Sequence, residues 1–79
     1  MKIHVKYYAA VRDIIGLSKE DIDVEEGIQL DSFVNIIKEG YCDIKDLVLL
    51  VAVNEKYAKP DKILTEGDRV ALFPPVSGG

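Results

Sequence analysis

With 79 residues the chain has room for one small domain, and a chain this short buries only about 60% of the surface its unfolded form exposes. Hydrophobic residues at 48% and charged residues at 30%, with aromatics at Tyr7, Tyr8, Phe33, Tyr41, Tyr57 and Phe73, describe a globular chain and exclude a disordered one. The 10 basic and 14 acidic side chains leave a formal net charge of −4 with the bases scattered, which argues against nucleic acid and anionic membranes as partners; the longest apolar run, Leu47 to Val53, falls far short of the roughly 20 residues that span a bilayer, so a cytoplasmic protein is expected.

From Lys2 to Tyr8 the residues alternate. Ile3, Val5 and Tyr7 share one face and Lys2, His4, Lys6 and Tyr8 the other, the period of a half-buried strand with His4 at a solvated position. Ala9 to Ile15 reads as a short helical turn closed by Gly16, and Asp21 to Glu25 as a second strand ending at the Glu26-Gly27 turn. Leu30, Phe33, Val34 and Ile37 recur at i, i+3, i+4 and i+7, which predicts one amphipathic helix terminated by Gly40. Cys42 follows that glycine and reads as a packing residue; one Cys and one His make neither a disulfide nor a metal set.

The run from Val48 to Val53 is apolar without alternation, as in a central strand covered on both faces. One helix covers one face only, so either Val48, Leu50 and Ala52 or Leu49, Val51 and Val53 need another cover, which a partner protein can supply. Asn54-Glu55 predicts a tight turn into a short strand around Tyr57, which Pro60 breaks; Glu66-Gly67-Asp68 predicts the turn into a last strand, Arg69 to Phe73. The order β-β-α-β-β-β matches a mixed sheet of about five strands around one helix, the β-grasp or ubiquitin-like architecture of the α+β class, with a domain at 1–73 and an extended tail at 74–79.

After Phe73 the character changes. Pro74-Pro75-Val76-Ser77-Gly78-Gly79 carries no charged side chain and no strand alternation, and the two prolines stiffen it by fixing φ and extending the residue before each. Six extended residues reach at most about 20 Å, enough to enter a buried site in another protein. Gly78 and Gly79, lacking Cβ, suit a narrow channel and leave a terminal carboxylate open. That carboxylate is ionised at neutral pH and a poor acyl electrophile, so it needs activation, for example as an acyl-adenylate that sulfide or a persulfide can attack.

The run Gly67-Asp68-Arg69-Val70-Ala71-Leu72-Phe73-Pro74-Pro75-Val76-Ser77-Gly78-Gly79 resembles the ending of the molybdopterin synthase small subunits, a family of ubiquitin-like sulfur carriers. Ala9, Arg12, Asp13 and Gly16 are similar to that family's stretch after the first strand, and Val51 to Asn54 also fits. Gln29-Leu30-Asp31-Ser32 departs from its threonine-led helix start.

The resemblance implies that an E1-like enzyme adenylates Gly79 at the expense of ATP and that a sulfur donor, such as a cysteine desulfurase or rhodanese, converts it to a thiocarboxylate. The tail (Pro74, Pro75, Val76, Ser77, Gly78, Gly79) then threads into the large synthase subunit of a heterotetramer and gives sulfur to cyclic pyranopterin monophosphate. It implies no tightly bound cofactor, no metal and no catalytic acid or base in this chain. Val70 and Leu72 lie on one face of the last strand, Ala71 and Phe73 on the other. If the first pair faces the helix, Phe73 and Ala71 join the second apolar face as a docking patch. Arg12 and Asp13 read as a solvated ion pair, and Gly67 and Asp68 as turn residues. Two other readings share the tail: a carrier for thiamine thiazole synthesis and a modifier conjugated to lysines through Gly79. In a third, the domain is structural or a free-standing enzyme and its Gly-Gly incidental.

Overall fold

A computed structural model describes residues 1–75. Alternating apolar residues make β1 (Lys2–Tyr7), whose Ile3, Val5 and Tyr7 are fully buried. The short helix α1 (Ala9–Ile15) follows, and Gly16 ends it in the left-handed conformation (φ 86°) with its N–H bonded to the Arg12 carbonyl. Then come β2 (Lys19–Asp23), α2 (Leu30–Gly40), a single 3₁₀ turn (Cys42–Ile44), β3 (Leu50–Val53), β4 (Lys56–Tyr57) and β5 (Arg69–Phe73).

The five strands form one mixed sheet in the order β2-β1-β5-β3-β4, with β1 and β5 parallel and the other pairs antiparallel. This is the α+β, β-grasp architecture. The core lies between one face of the sheet and α2, where Leu30, Phe33 and Ile37 meet Ile3, Val5, Val53, Val70 and Leu72, and the loop residues Ile44 and Leu64 complete it.

The start of α2 lacks a side-chain cap at Gln29. Two of its free N–H groups are satisfied by the loop before β5 instead: Leu30 N–H donates to the Lys62 carbonyl (2.8 Å) and Asp31 N–H to that of Pro60 (2.9 Å).

Several expectations are corrected. The first strand stops at Tyr7, one residue early. The second occupies Lys19–Asp23 rather than Asp21 to Glu25, because its pairing with β1 begins at Lys6↔Lys19, directly after the Gly16 turn. Gly40 remains helical; Tyr41 closes α2 with its N–H on the Ile37 carbonyl, held there by a phenol hydroxyl that donates to Glu20 Oε2 at 2.6 Å. Cys42 is exposed rather than packed.

The strand drawn from the 47–53 run begins only at Leu50, because β5 ends where Phe73 meets Leu50 and offers Val48 no neighbour; Val48 is 73% exposed. Nor is this strand central or covered on both faces. The last strand, β5, takes the middle of the sheet, and only the β3 face with Leu49, Val51 and Val53 packs on the core.

Candidate docking face and tail exit

The parity of β5 decides which side chains look outward. Val70 and Leu72 are buried, at 1% and 0% exposure, so Ala71 and Phe73 are carried to the opposite face, where both are half-buried. Register then selects their neighbours. Phe73 stands opposite Leu50, and Ala71 opposite Ala52 on one side and Lys6 on the other; Ala52 in turn stands opposite Tyr57. Tyr8 follows β1 on the same outer face.

The result is an aromatic group around the end of β5. The Phe73 ring lies edge-on to Tyr8 with centroids 6.3 Å apart and tilted against Tyr57 at 6.0 Å. Tyr8 and Tyr57 are themselves exposed. Beside them a shallow depression of about 90 Å³ is lined by Lys6, Tyr8, Glu55, Arg69, Val70 and Ala71. The outer face therefore has an apolar half, with Tyr8, Leu50, Ala52, Tyr57, Ala71 and Phe73, and a charged half.

The charged half is set by β1, β2 and β5. Lys2, Lys6, Lys19 and Arg69 are exposed there, against Asp21 and Asp23, so cations prevail on this face of an acidic chain. His4 Nδ1 lies 2.6 Å from Asp21 Oδ1, and that hydrogen bond, helped by nearby lysines, keeps the exposed Asp21 carboxyl below its ordinary value. Arg12 Nε reaches Asp13 Oδ1 at 3.8 Å in an exposed local pair.

Asp68 does more than turn the chain. Its carboxylate accepts hydrogen bonds from Asn54 Nδ2 (3.0 Å), Thr65 N–H (2.9 Å) and the Thr65 hydroxyl (3.1 Å), while Asn54 Oδ1 accepts from Arg69 N–H (3.0 Å). Burial pushes this carboxyl up, but the hydrogen bonds from Thr65 and Asn54 and the charge of Lys62 outweigh it and hold it below the usual range. The network locks the entry of β5 to the β3–β4 turn, and so fixes where Phe73 emerges.

Pro74 is half-buried and Pro75 exposed, leaving the sheet beside Phe73. Val76, Ser77, Gly78 and Gly79 lie outside the described residues. Sequence reasoning placed Phe73 and Ala71 on the outer face and offered Leu50 and Ala52 in one of its two sets for that face, but missed Tyr8 and Tyr57 as their companions. The parity of β1 and the turn at Asn54-Glu55 were the available signals. No group of three or more His, Cys, Asp or Glu able to hold a metal occurs among the described residues, and no helix there is long and apolar enough to cross a membrane.

Against known proteins, the ThiS family model matches residues 5–79. The molybdopterin synthase sulfur carrier subunit of Mycobacterium tuberculosis is 32% identical over 82 residues, covering 100% of this chain and 99% of that one. A solved structure assigned as molybdopterin converting factor subunit 1 from Pyrococcus furiosus superposes with a TM-score of 0.91 at 32% identity, over 96% of this chain and 99% of that one. In a solved complex of subunits 1 and 2 of the molybdopterin-converting factor from Helicobacter pylori, one chain is similar at a TM-score of 0.72 and 25% identity over 100% of both. A family match across nearly the whole chain, on a β-grasp sheet whose last strand ends in Phe73-Pro74-Pro75, places this protein in the ThiS family, beside the sulfur carrier subunits of molybdopterin synthase.

Proposed function

We propose that this protein is the sulfur carrier subunit of a molybdopterin synthase, with the carboxylate of Gly79 as its working group. The observation that carries the reading is the position of Phe73. It ends β5 within an aromatic cluster on the outward face, directly before Pro74-Pro75 and the Gly-Gly run, so one partner can grip the cluster while the tail passes inward.

An E1-like enzyme would activate the tail. A Gly79 carboxylate oxygen attacks the α-phosphorus of ATP, pyrophosphate leaves, and hydrosulfide displaces AMP at the acyl carbon, giving a thiocarboxylate and a proton. A donor persulfide delivers the same sulfur once a thiol cleaves its S–S bond. The folded body contributes grip and aim. It holds the tail for the large subunit, where sulfur passes to cyclic pyranopterin monophosphate, and it needs no acid or base of its own. The large-subunit partner is supported by the Helicobacter pylori complex of subunits 1 and 2, one chain of which is similar to this one over its full length.

The test is intact-protein mass spectrometry after incubation with an E1-like adenylating enzyme, ATP, magnesium and a sulfur donor, alongside a chain lacking Gly79. Exchange of one oxygen for one sulfur, confined to the full tail, is the expected result. An unchanged mass with a competent enzyme would overturn the reading, and isopeptide conjugates through Gly79 in place of sulfur would turn it toward a protein modifier.

A further inference from the structure

The partner of β3 on its far side gives out early. β4 pairs only with Ala52 and Val53, and the chain then leaves the sheet through Ala58 and Pro60. The direction of the unpaired backbone groups is fixed by Asn54, whose N–H donates to the Arg69 carbonyl at 2.8 Å. By alternation residues 50, 52 and 54 turn their backbone groups toward β5, so 49, 51 and 53 turn theirs the other way. Val53 meets Lys56 there, while Leu49 has neither its N–H nor its C=O in a backbone hydrogen bond among the described residues.

This open edge forms one wall of an apolar groove of about 340 Å³. Val34 of α2, Leu49, Val51 and Ala58 lie among its lining, with Asp31 and Asn35 at the helix side. No lysine or proline stands on the edge itself at 48–51, the usual devices that keep a strand edge from pairing. The groove continues past Tyr57 and Ala58 into a second depression, lined by Lys56, Lys59 and Lys62 against the single carboxylate of Asp61. All three lysines are exposed, on a chain whose net charge is −4.

We propose that this groove is a second docking site, adjoining the Phe73 face through Leu50 and Tyr57 but opening toward α2, and that it takes an extended peptide with aliphatic side chains at alternate positions and an acidic flank. The peptide would add a strand to β3 at Leu49 and Val51, set every second side chain into the groove over Val34, and lay its carboxylates against Lys59 and Lys62. Main-chain pairing supplies grip that tolerates sequence, the groove requires the aliphatic alternation, and the lysines fix which end carries the acids. A partner using it leaves the tail free, so a protein can hold the carrier while another enzyme acts on Gly79.

The test uses the full chain, ¹⁵N-labelled, titrated with the synthetic peptide acetyl-Val-Ile-Val-Ile-Asp-Asp-Glu-amide. Amide shifts should cluster at Leu49, Val51 and the α2 residues lining the groove, leaving Tyr8 and the β1–β2 hairpin still. An N-methylated version of the same peptide, unable to pair along the edge, should not bind. The exposed double reversal K59E/K62E should raise the Kd about tenfold, and more than tenfold recovery should follow when the peptide's acids are replaced by lysines. V34E should abolish binding, with the lysine reversal keeping the test open if that variant misfolds. Shifts centred on the Phe73 face, equal binding of the N-methylated peptide, or indifference to the lysine reversal would each overturn the proposal. So would concentration-dependent shifts at Leu49 and Val51 in the peptide-free protein, since a second copy would then be the occupant.

Discussion

Phe73 is half-buried between two exposed tyrosines, so removing its ring should separate docking from folding. F73A is expected to weaken the complex with a large synthase subunit by about 2–3 kcal/mol, the scale of an aromatic anchor, while domain stability falls by no more than about 1 kcal/mol. Calorimetric titration of the partner and thermal unfolding of the free chain read the two effects separately. Equal losses in both would make Phe73 a core residue. Tyr7 belongs to the other side of the sheet. Its buried hydroxyl donates to Glu20 Oε2 at 2.6 Å, Tyr41 donates to the same oxygen, and the two rings meet edge-on at 6.2 Å. Burial first, then the hydrogen bond to Glu20 and its charge, raise the Tyr7 phenol far above its ordinary value of 10.0. The neutral phenol is thus favoured in the folded state: its contribution is complete below pH 10 and lost as pH climbs beyond, when the unfolded chain ionises first. Urea midpoints should therefore fall above pH 10 in the parent and fall less in Y7F.

At the scale of elements, the β3–β4 turn holds an avoidable strain. Asn54 and Glu55 both have positive φ, at 51° and 72°, the pairing of a type I′ hairpin, and glutamate pays a steric penalty that glycine does not. E55G is expected to raise stability by about 0.5–1 kcal/mol, measured as a shift in urea midpoint at constant m-value; a loss would mean the Glu55 side chain holds the turn. The elements were legible in the sequence wherever a period or a turn residue marked them: β1 by its alternation, α2 by Leu30, Phe33 and Ile37, α1 by Gly16, and β5 between Gly67 and Phe73. What sequence did not carry was decided by neighbours distant along the chain. β2 slid toward its partner β1, β3 lost its first residues where β5 ran out, and α2 closed at Tyr41 because a hydroxyl found Glu20. The candidate face divides in the same way. Phe73 and Ala71 follow from parity within one strand, whereas Tyr8, Leu50 and Tyr57 join them only through the register of three others.

For the whole molecule, charge is unevenly shared: Lys2, Lys6, Lys19 and Arg69 sit on the outer sheet face of a chain with net charge −4. A partner approaching the Phe73 face meets that cationic field first, and such fields act mainly on encounter rates. K6E/R69E is expected to slow association with the large subunit by about an order of magnitude at low salt, with dissociation changed little, and the difference should shrink as ionic strength rises. Stopped-flow mixing across a salt series measures it; a salt-independent rate in the parent would discard electrostatic steering.

The place of β5 in the sheet also bears on how the chain comes to exist. It is last among the strands in sequence, yet among the described residues it is the strand that joins β1–β2 to β3–β4 in the sheet. Until Arg69–Phe73 is made, the growing polypeptide holds two separate hairpins with no shared strand, and isolated hairpins are marginal in water. Closing the sheet demands that the first strand find the last, a non-local event of the kind that slows folding. Synthesis that halts before Phe73 thus yields neither a closed sheet nor the aromatic face that ends it.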